Sequence, residues 1–240
     1  MSNHVRPKVD ELNGAISTNP PADRPSSGWW RSHRSSDPAQ WSLLDERLQF
    51  LAAFIRNPAA VGSLWPSSPN LARATLSNCD LRSARLVVEL GPGTGAFTRV
   101  ILDRLGEQTE FFVIELDSNS TVQLRRRFPG LHVVNDSAEH LTRHVEKTGK
   151  KADCIISGLP WANMKPELQD RILDNIIDSL AERGAFTTFG YWHASLLPSS
   201  RRFRARLEKR FGVVRRSHVI WKNVPPAIFY SCRHPRTARD

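Results

Sequence analysis

The chain has 240 residues, 40% of them hydrophobic, which is enough to bury one sizeable core with extensions, and its net charge of +10 favours an anionic partner, nucleic acid or lipid. Cys79, Cys154 and Cys232 are odd in number and lack CxxC spacing, which excludes a disulfide framework or structural zinc and fits a reducing cytoplasm. No apolar run approaches transmembrane length and the start lacks a signal-peptide core, so the expected location is cytoplasmic, with peripheral contact at the inner face of the membrane.

Residues 1–38 carry Pro7, Pro20, Pro21, Pro25 and Pro38 among scattered serines, without apolar periodicity, and are expected to be a disordered tail. Within it Trp29 and Trp30, flanked by Arg24, Arg31 and Arg34, suit either a membrane interface or a docked segment. Residues 39–82 are predicted to form an amphipathic helix and a lid segment. Trp41, Leu44, Leu48, Leu51 and Ile55 share one face of a helix over 39–56, which Pro58 ends. That face either covers a sheet or lies on lipid. The remainder of the chain, 83–240, is predicted to be the catalytic core.

At Leu86 the sequence LVVELGPGTG runs a short apolar strand into Glu89 and then Gly91, Gly93 and Gly95 at alternate positions, and AFTRVILDRL follows at helical spacing. Glycines permit positive φ and close backbone approach to a ligand, and the helix start favours an anionic group. The loop alone leaves dinucleotides, nucleotides and S-adenosylmethionine open. Its GxGxG spacing departs from the dinucleotide fingerprint, however, and the acid Glu89 comes before the loop. A second strand, 110–116, ends at Glu115 and Leu116; a third, 131–135, ends before Asp136 and Ser137; a fourth, 152–157, ends at Ser157 before Gly158-Leu159-Pro160-Trp161. Polar or glycine-rich tips on successive strands suit the ligand-binding carboxyl edge of an open parallel sheet. His140 and His144 are four apart without a metal-protease glutamate, so a solvated helix face is expected. A helix over 170–180 and a strand over 185–192 follow. The final strands are expected in RSHVIWKNVPPAIFYSC, joined around Asn223 to Pro226. Before them, residues 201–216 hold eight basic residues and one acid, a candidate patch for RNA phosphates or anionic lipid.

The order ELGPGTG, IELD, ND and SGLPW, across roughly 86–232, resembles the class I S-adenosylmethionine-dependent methyltransferases. The resemblance implies an α/β fold, a Rossmann-like seven-stranded, mostly parallel sheet with helices on both faces. It also implies S-adenosylmethionine as cofactor and no metal. Glu89, Gly91, Gly93, Thr94 and Gly95 would cradle the methionine part, Glu115 the ribose, and Leu116, Asp136 and Ser137 the adenine, with Ser157 at the fourth tip. Two groups share these motifs, the rRNA adenine dimethyltransferases and the bacterial phospholipid N-methyltransferases. In the former the fourth tip resembles NLPY, and this chain has Gly158 in place of the asparagine. SGLPxxNM, NPxAVG and PSS are more similar to the phospholipid enzymes, and no residues remain after the last strand for a separate RNA-binding domain.

The implied function is N-methylation of a phosphatidylethanolamine-type amine at a membrane surface, contacted by the 201–216 block and the 39–56 helix. An rRNA adenine N6-methyltransferase-like enzyme and an N-methyltransferase of a small amine are the alternatives. Such an amine has a pKa near 10, so presenting it neutral at pH 7 costs about 4 kcal/mol. Tyr191 is the candidate to orient it, the Ser157 or Leu159 carbonyl to accept its hydrogens, Trp161 to face the developing ammonium and His193 to take the proton.

Overall fold

The computed structural model describes residues 68–236. The predicted tail, its tryptophan pair and the 39–56 helix lie outside the described residues. Helix α1 (Pro69–Thr75) opens the described chain, with Pro69 at its first position and the Ser68 hydroxyl accepting from the Leu71 amide. There follow β1 (Leu86–Leu90), α2 (Ala96–Leu102), β2 (Glu110–Glu115), α3 (Ser118–Arg127), β3 (His132–Asn135), α4 (Leu141–Glu146) and β4 (Ala152–Ser157). The C-terminal half adds α5 (Pro166–Ser179), β5 (Leu180–Tyr191), α6 (Pro198–Arg210), β6 (Phe211–Arg216) and β7 (Ala227–Pro235).

One seven-stranded sheet runs in the order β3-β2-β1-β4-β5-β7-β6. The pairings from β3 to β5 are parallel, while β7 is antiparallel to both β5 and β6. Chain order reverses between β1 and β4, the switch point where open α/β sheets bind ligands. Central β1 is buried along its whole length, which is why it is a continuous apolar run with no alternation. Its side chains still divide between the two faces. Leu86, Val88 and Leu90 join Leu141, Ile172, Ile176, Phe203 and Leu207 from α4, α5 and α6. Val87 joins Leu71, Phe97, Ile101 and Leu124 from α1, α2 and α3. The segment from Ser68 to Arg82 therefore packs into the same core as the sheet, with Leu71, Leu76 and Leu81 buried.

Two expectations from the C-terminal region change. The penultimate strand is Phe211–Arg216, inside the basic run, and the 217–226 segment is a connection that touches β7 through a bridge from Ile220 to Ala227. The β-branched pair Val213 and Val214 lies against Arg233 and Cys232, whereas Pro225 and Pro226 have no N–H for a ladder. The connection is pinned by Asn223, whose amide donates to the Pro225 carbonyl (2.7 Å) and whose oxygen accepts from the Ser68 amide (2.9 Å). The basic run is also not one free patch. Arg206 and Arg210 meet Asp170 at 3.2 and 3.0 Å, Arg210 reaches Asp174 at 2.8 Å, and Arg204 pairs with Glu208 at 2.8 Å. Part of the block thus fastens α6 to α5, and Arg201 and Arg202 are among the residues that remain exposed.

Candidate active site

The strand tips singled out in the sequence meet at the carboxyl edge of β1, β2, β3, β4 and β5. Gly91, Gly93 and Gly95 all have positive φ, at 65°, 52° and 78°, a region costly for residues with a Cβ. A side chain would also lack room. A Cβ on Gly95 would lie 2.5 Å from the Phe128 ring, and one on Gly91 2.8 Å from Leu159 Cδ2. The loop is tied to its neighbours by the Gly91 amide donating to the Ile114 carbonyl (2.9 Å) and the Gly158 amide donating to the Leu90 carbonyl (2.8 Å). Thr94 is exposed at the loop's tip, and its carbonyl accepts from Arg127 at 2.7 Å.

Glu115 is buried at the end of β2. One carboxylate oxygen accepts from the Gly93 amide (3.1 Å) and the other from the Asp117 amide (3.0 Å). A carboxylate has about four acceptor sites, so the group is fixed in place and still able to take two more donors, as a ribose diol would supply. Leu116 beside it is 73% exposed, an apolar face turned to solvent at the ligand edge.

No family model matches the sequence. Over 188 residues the chain is 35% identical to ornithine lipid N-methyltransferase of Singulisphaera acidiphila, a match spanning 77% of this chain and 94% of that protein. The chain belongs to the class I S-adenosylmethionine-dependent methyltransferases, in the family of that lipid N-methyltransferase. Ribosomal RNA small subunit methyltransferase A of Bordetella pertussis is 33% identical, but over 82 residues, 34% of this chain and 29% of that protein. Among solved structures, an rRNA-methylase from Clostridium thermocellum superposes with TM-score 0.54 at 14% identity, over 71% of this chain and 97% of that one. TrmN from Thermus thermophilus gives 0.51 at 17%, over 69% and 48%, and the two establish the shared fold.

S-adenosylmethionine is the cofactor, and the residues present fit it: a glycine loop at positive φ with no room for a Cβ at Gly91 or Gly95, a carboxylate fixed by two backbone amides with acceptor capacity to spare, and an exposed leucine beside it. Glu89 sits beneath this loop, 1% exposed, accepting from the Thr98 hydroxyl at 2.6 Å. Burial pushes its carboxyl up to about 8, with nearby Glu115 adding to the shift and the Thr98 bond opposing it. Asp136 follows β3 and accepts from the Ser137 amide at 2.8 Å. Two histidines then clamp it, His144 Nε2 at 2.7 Å on one oxygen and His140 Nδ1 at 2.8 Å on the other. Hydrogen bonds from His144 and then His140 hold the Asp136 carboxyl well below the usual carboxylate range. His140 keeps the exposed position expected of it, whereas His144 is turned inward onto Asp136, which corrects the expectation there. The spacing of Asp136, His140 and His144 was the available signal, but Asp136 and His140 precede α4, so the contacts are made by the turn after β3 and not by helical stacking.

The residues expected on the acceptor side divide differently. Ser157 is fully buried, its hydroxyl accepts from the Leu159 amide (3.2 Å), and its carbonyl accepts from the Thr188 hydroxyl (3.0 Å). It shapes the tip rather than facing an amine. Trp161 is buried as well, stacked on Phe203 with ring centres 4.8 Å apart and donating its indole N–H to Thr188 Oγ1 at 2.9 Å. Its expected role over an ammonium gives way to core packing, since Phe203 of α6 occupies one ring face. Leu159 is half-buried, and its carbonyl accepts from the Trp161 amide at 3.0 Å. Tyr191 ends β5, edge-on to Phe189 at 6.4 Å and parallel to His193 at 5.9 Å. Desolvation raises the Tyr191 phenol, keeping it a neutral donor and acceptor at pH 7, and lowers the exposed His193 imidazole, which favours its neutral form. Thr188, which links Trp161 to Ser157, carries no sequence signature, because two β-strands and a turn have to assemble before its contacts exist.

Among the described residues, no helix is long and apolar enough to cross a membrane.

Proposed function

We propose that this N-methyltransferase acts on the primary amine of a lipid head group, with an ornithine-type head as first acceptor and phosphatidylethanolamine, of the same amine chemistry, as second. The observation that carries this reading is the relation to ornithine lipid N-methyltransferase over nearly the whole of that protein's length. Gly158 supports it. A Cβ there would lie 2.5 Å from the Gly91 carbonyl oxygen, so the backbone geometry of this tip rejects the asparagine that the rRNA adenine enzymes place there.

Bound S-adenosylmethionine supplies a methyl group already activated on a sulfonium. Gly91, Gly93, Thr94 and Gly95, with Glu89, would hold its methionine part, Glu115 would take the ribose hydroxyls, and Leu116, Asp136 and Ser137 would hold the adenine. The chain's remaining task is to present a neutral amine and exclude water. Apolar surroundings disfavour the ammonium form. The Tyr191 phenol and the Leu159 carbonyl orient the amine, and His193, neutral and at the site's exposed edge, receives its proton.

The enzyme meets its substrate at a membrane surface on the cytoplasmic side. Trp192 and Trp221, with ring centres 5.8 Å apart, are both exposed, and paired aromatics of this kind suit the lipid interface. The test is transfer of labelled methyl groups to vesicles containing either aminolipid, with ribosomal RNA in parallel. Label in lipid supports the reading, and label confined to RNA refutes it.

A further inference from the structure

Beside the glycine loop lies a cavity of about 470 Å³. We infer that it is an acyl-chain site: one hydrocarbon chain of the lipid acceptor enters between β5 and α6 while the amine remains at the Tyr191 end. This inference rests on the lipid reading above and adds a specificity determinant to it.

Three observations carry it. The first is chemical. Trp161, Phe189, Leu197, Phe203 and Ile228 supply the apolar wall, and no Asp, Glu, Lys or Arg is among the described residues that line it. A phosphate or an RNA backbone needs cationic partners, which this lining does not supply, whereas an alkyl chain needs only apolar surface. The second is continuity with the methyl-donor site. Gly158 and Leu159 belong to the cavity wall, and the same two residues pack against Gly91, so the wall and the glycine loop share one boundary. Tyr191 and His193, which flank the proposed amine position, line the cavity too. The third is the neighbouring surface. Leu197 of the cavity wall is exposed, its chain neighbour Leu196 is 62% exposed, and Arg201 and Arg202 follow as exposed residues of α6. Exposed leucines beside the cavity and next to cations suit a bilayer surface, with hydrocarbon below and charged head groups above.

Gly190 is the position at which the site can be blocked. It lies in β5 on the cavity wall, and a Cβ built there meets nothing within 4 Å, so the side chain of Gly190→Phe starts into open space.

The experiment uses the full chain with S-adenosylmethionine and ornithine N-acylated by butanoyl, octanoyl or dodecanoyl groups, kept below micelle formation, with binding measured by calorimetry. Each buried methylene is worth up to about fourfold in affinity, so octanoyl should bind more than about tenfold tighter than butanoyl. Gly190→Phe should flatten that dependence while cofactor affinity is retained. Affinity independent of chain length overturns the inference, and this series on the unaltered protein requires no variant to fold. A dependence that survives in Gly190→Phe also overturns it, by placing the chain on the rim or on another segment. Competition by adenosine instead of by alkyl chains assigns the cavity to a base and likewise overturns it. The vesicle assay separates the two claims. Methylated lipid without chain-length dependence removes the cavity and leaves the lipid reading, whereas cofactor binding with no methylated lipid removes the lipid reading and the acyl-chain assignment with it.

Discussion

Gly158 stands where the backbone leaves no room for a side chain, and Gly158→Ala measures that constraint. The added Cβ would stand 2.5 Å from the Gly91 carbonyl oxygen and 3.7 Å from that of Leu90. The first distance lies well inside van der Waals contact, and the atom it meets is backbone, so the relief must come from the β4 tip or the glycine loop. Overpacking of this kind costs about 1–3 kcal/mol. Gly91 is held by the hydrogen bond that its amide donates to the Ile114 carbonyl and by Leu159 packed over it, so the loop has little freedom to absorb the shift. Part of the strain therefore appears as lost cofactor affinity, up to about tenfold if 1.4 kcal/mol falls on the binding conformation. Denaturant unfolding and calorimetric titration with S-adenosylmethionine read the two components. A variant with native stability and native affinity would refute the reasoning, because it would mean that an asparagine-type tip fits this backbone after all.

Other predictions follow from the buried polar groups. Glu89 has its carboxyl raised from an ordinary 4.5 to about 8, so the folded state keeps a proton that the unfolded chain has lost; stability should fall as pH rises through that window, by at most about 5 kcal/mol. Glu89→Gln should flatten this slope in denaturant titrations between pH 5 and pH 8, and an unchanged slope assigns it elsewhere. Thr188→Val removes the hydroxyl that accepts from Trp161 and donates to Ser157, leaving two buried groups unpaired, and should destabilise by about 1–3 kcal/mol in thermal or urea unfolding. His144→Ala frees one oxygen of Asp136 and should weaken S-adenosylmethionine binding by about tenfold by calorimetry; unchanged affinity would separate the histidine clamp from the cofactor site.

The strand tips were legible in the sequence for a local reason. Gly91, Gly93, Gly95, Glu115 and Asp136 sit at strand ends, and a strand end is marked by a few adjacent residues whatever the rest of the chain does. Trp161 was misread because its environment is not local. The ring that covers it, Phe203, belongs to a helix that begins only after β5 is complete. The same distance hid Arg206 and Arg210, whose partners Asp170 and Asp174 lie on α5. Strand β6 was obscured by arginines that stand at both ends of FGVV, so charge density masked a β-branched pair. For His140 and His144 the spacing was visible, but its meaning depended on the turn after β3 that brings Asp136 over the helix start.

The most direct test of the central claim is incubation of the purified chain with methyl-labelled S-adenosylmethionine and vesicles that carry an ornithine lipid or phosphatidylethanolamine. The predicted result is label recovered on the lipid amine, at a level that Glu115→Ala abolishes. Cofactor bound normally with no label in either lipid would contradict the account.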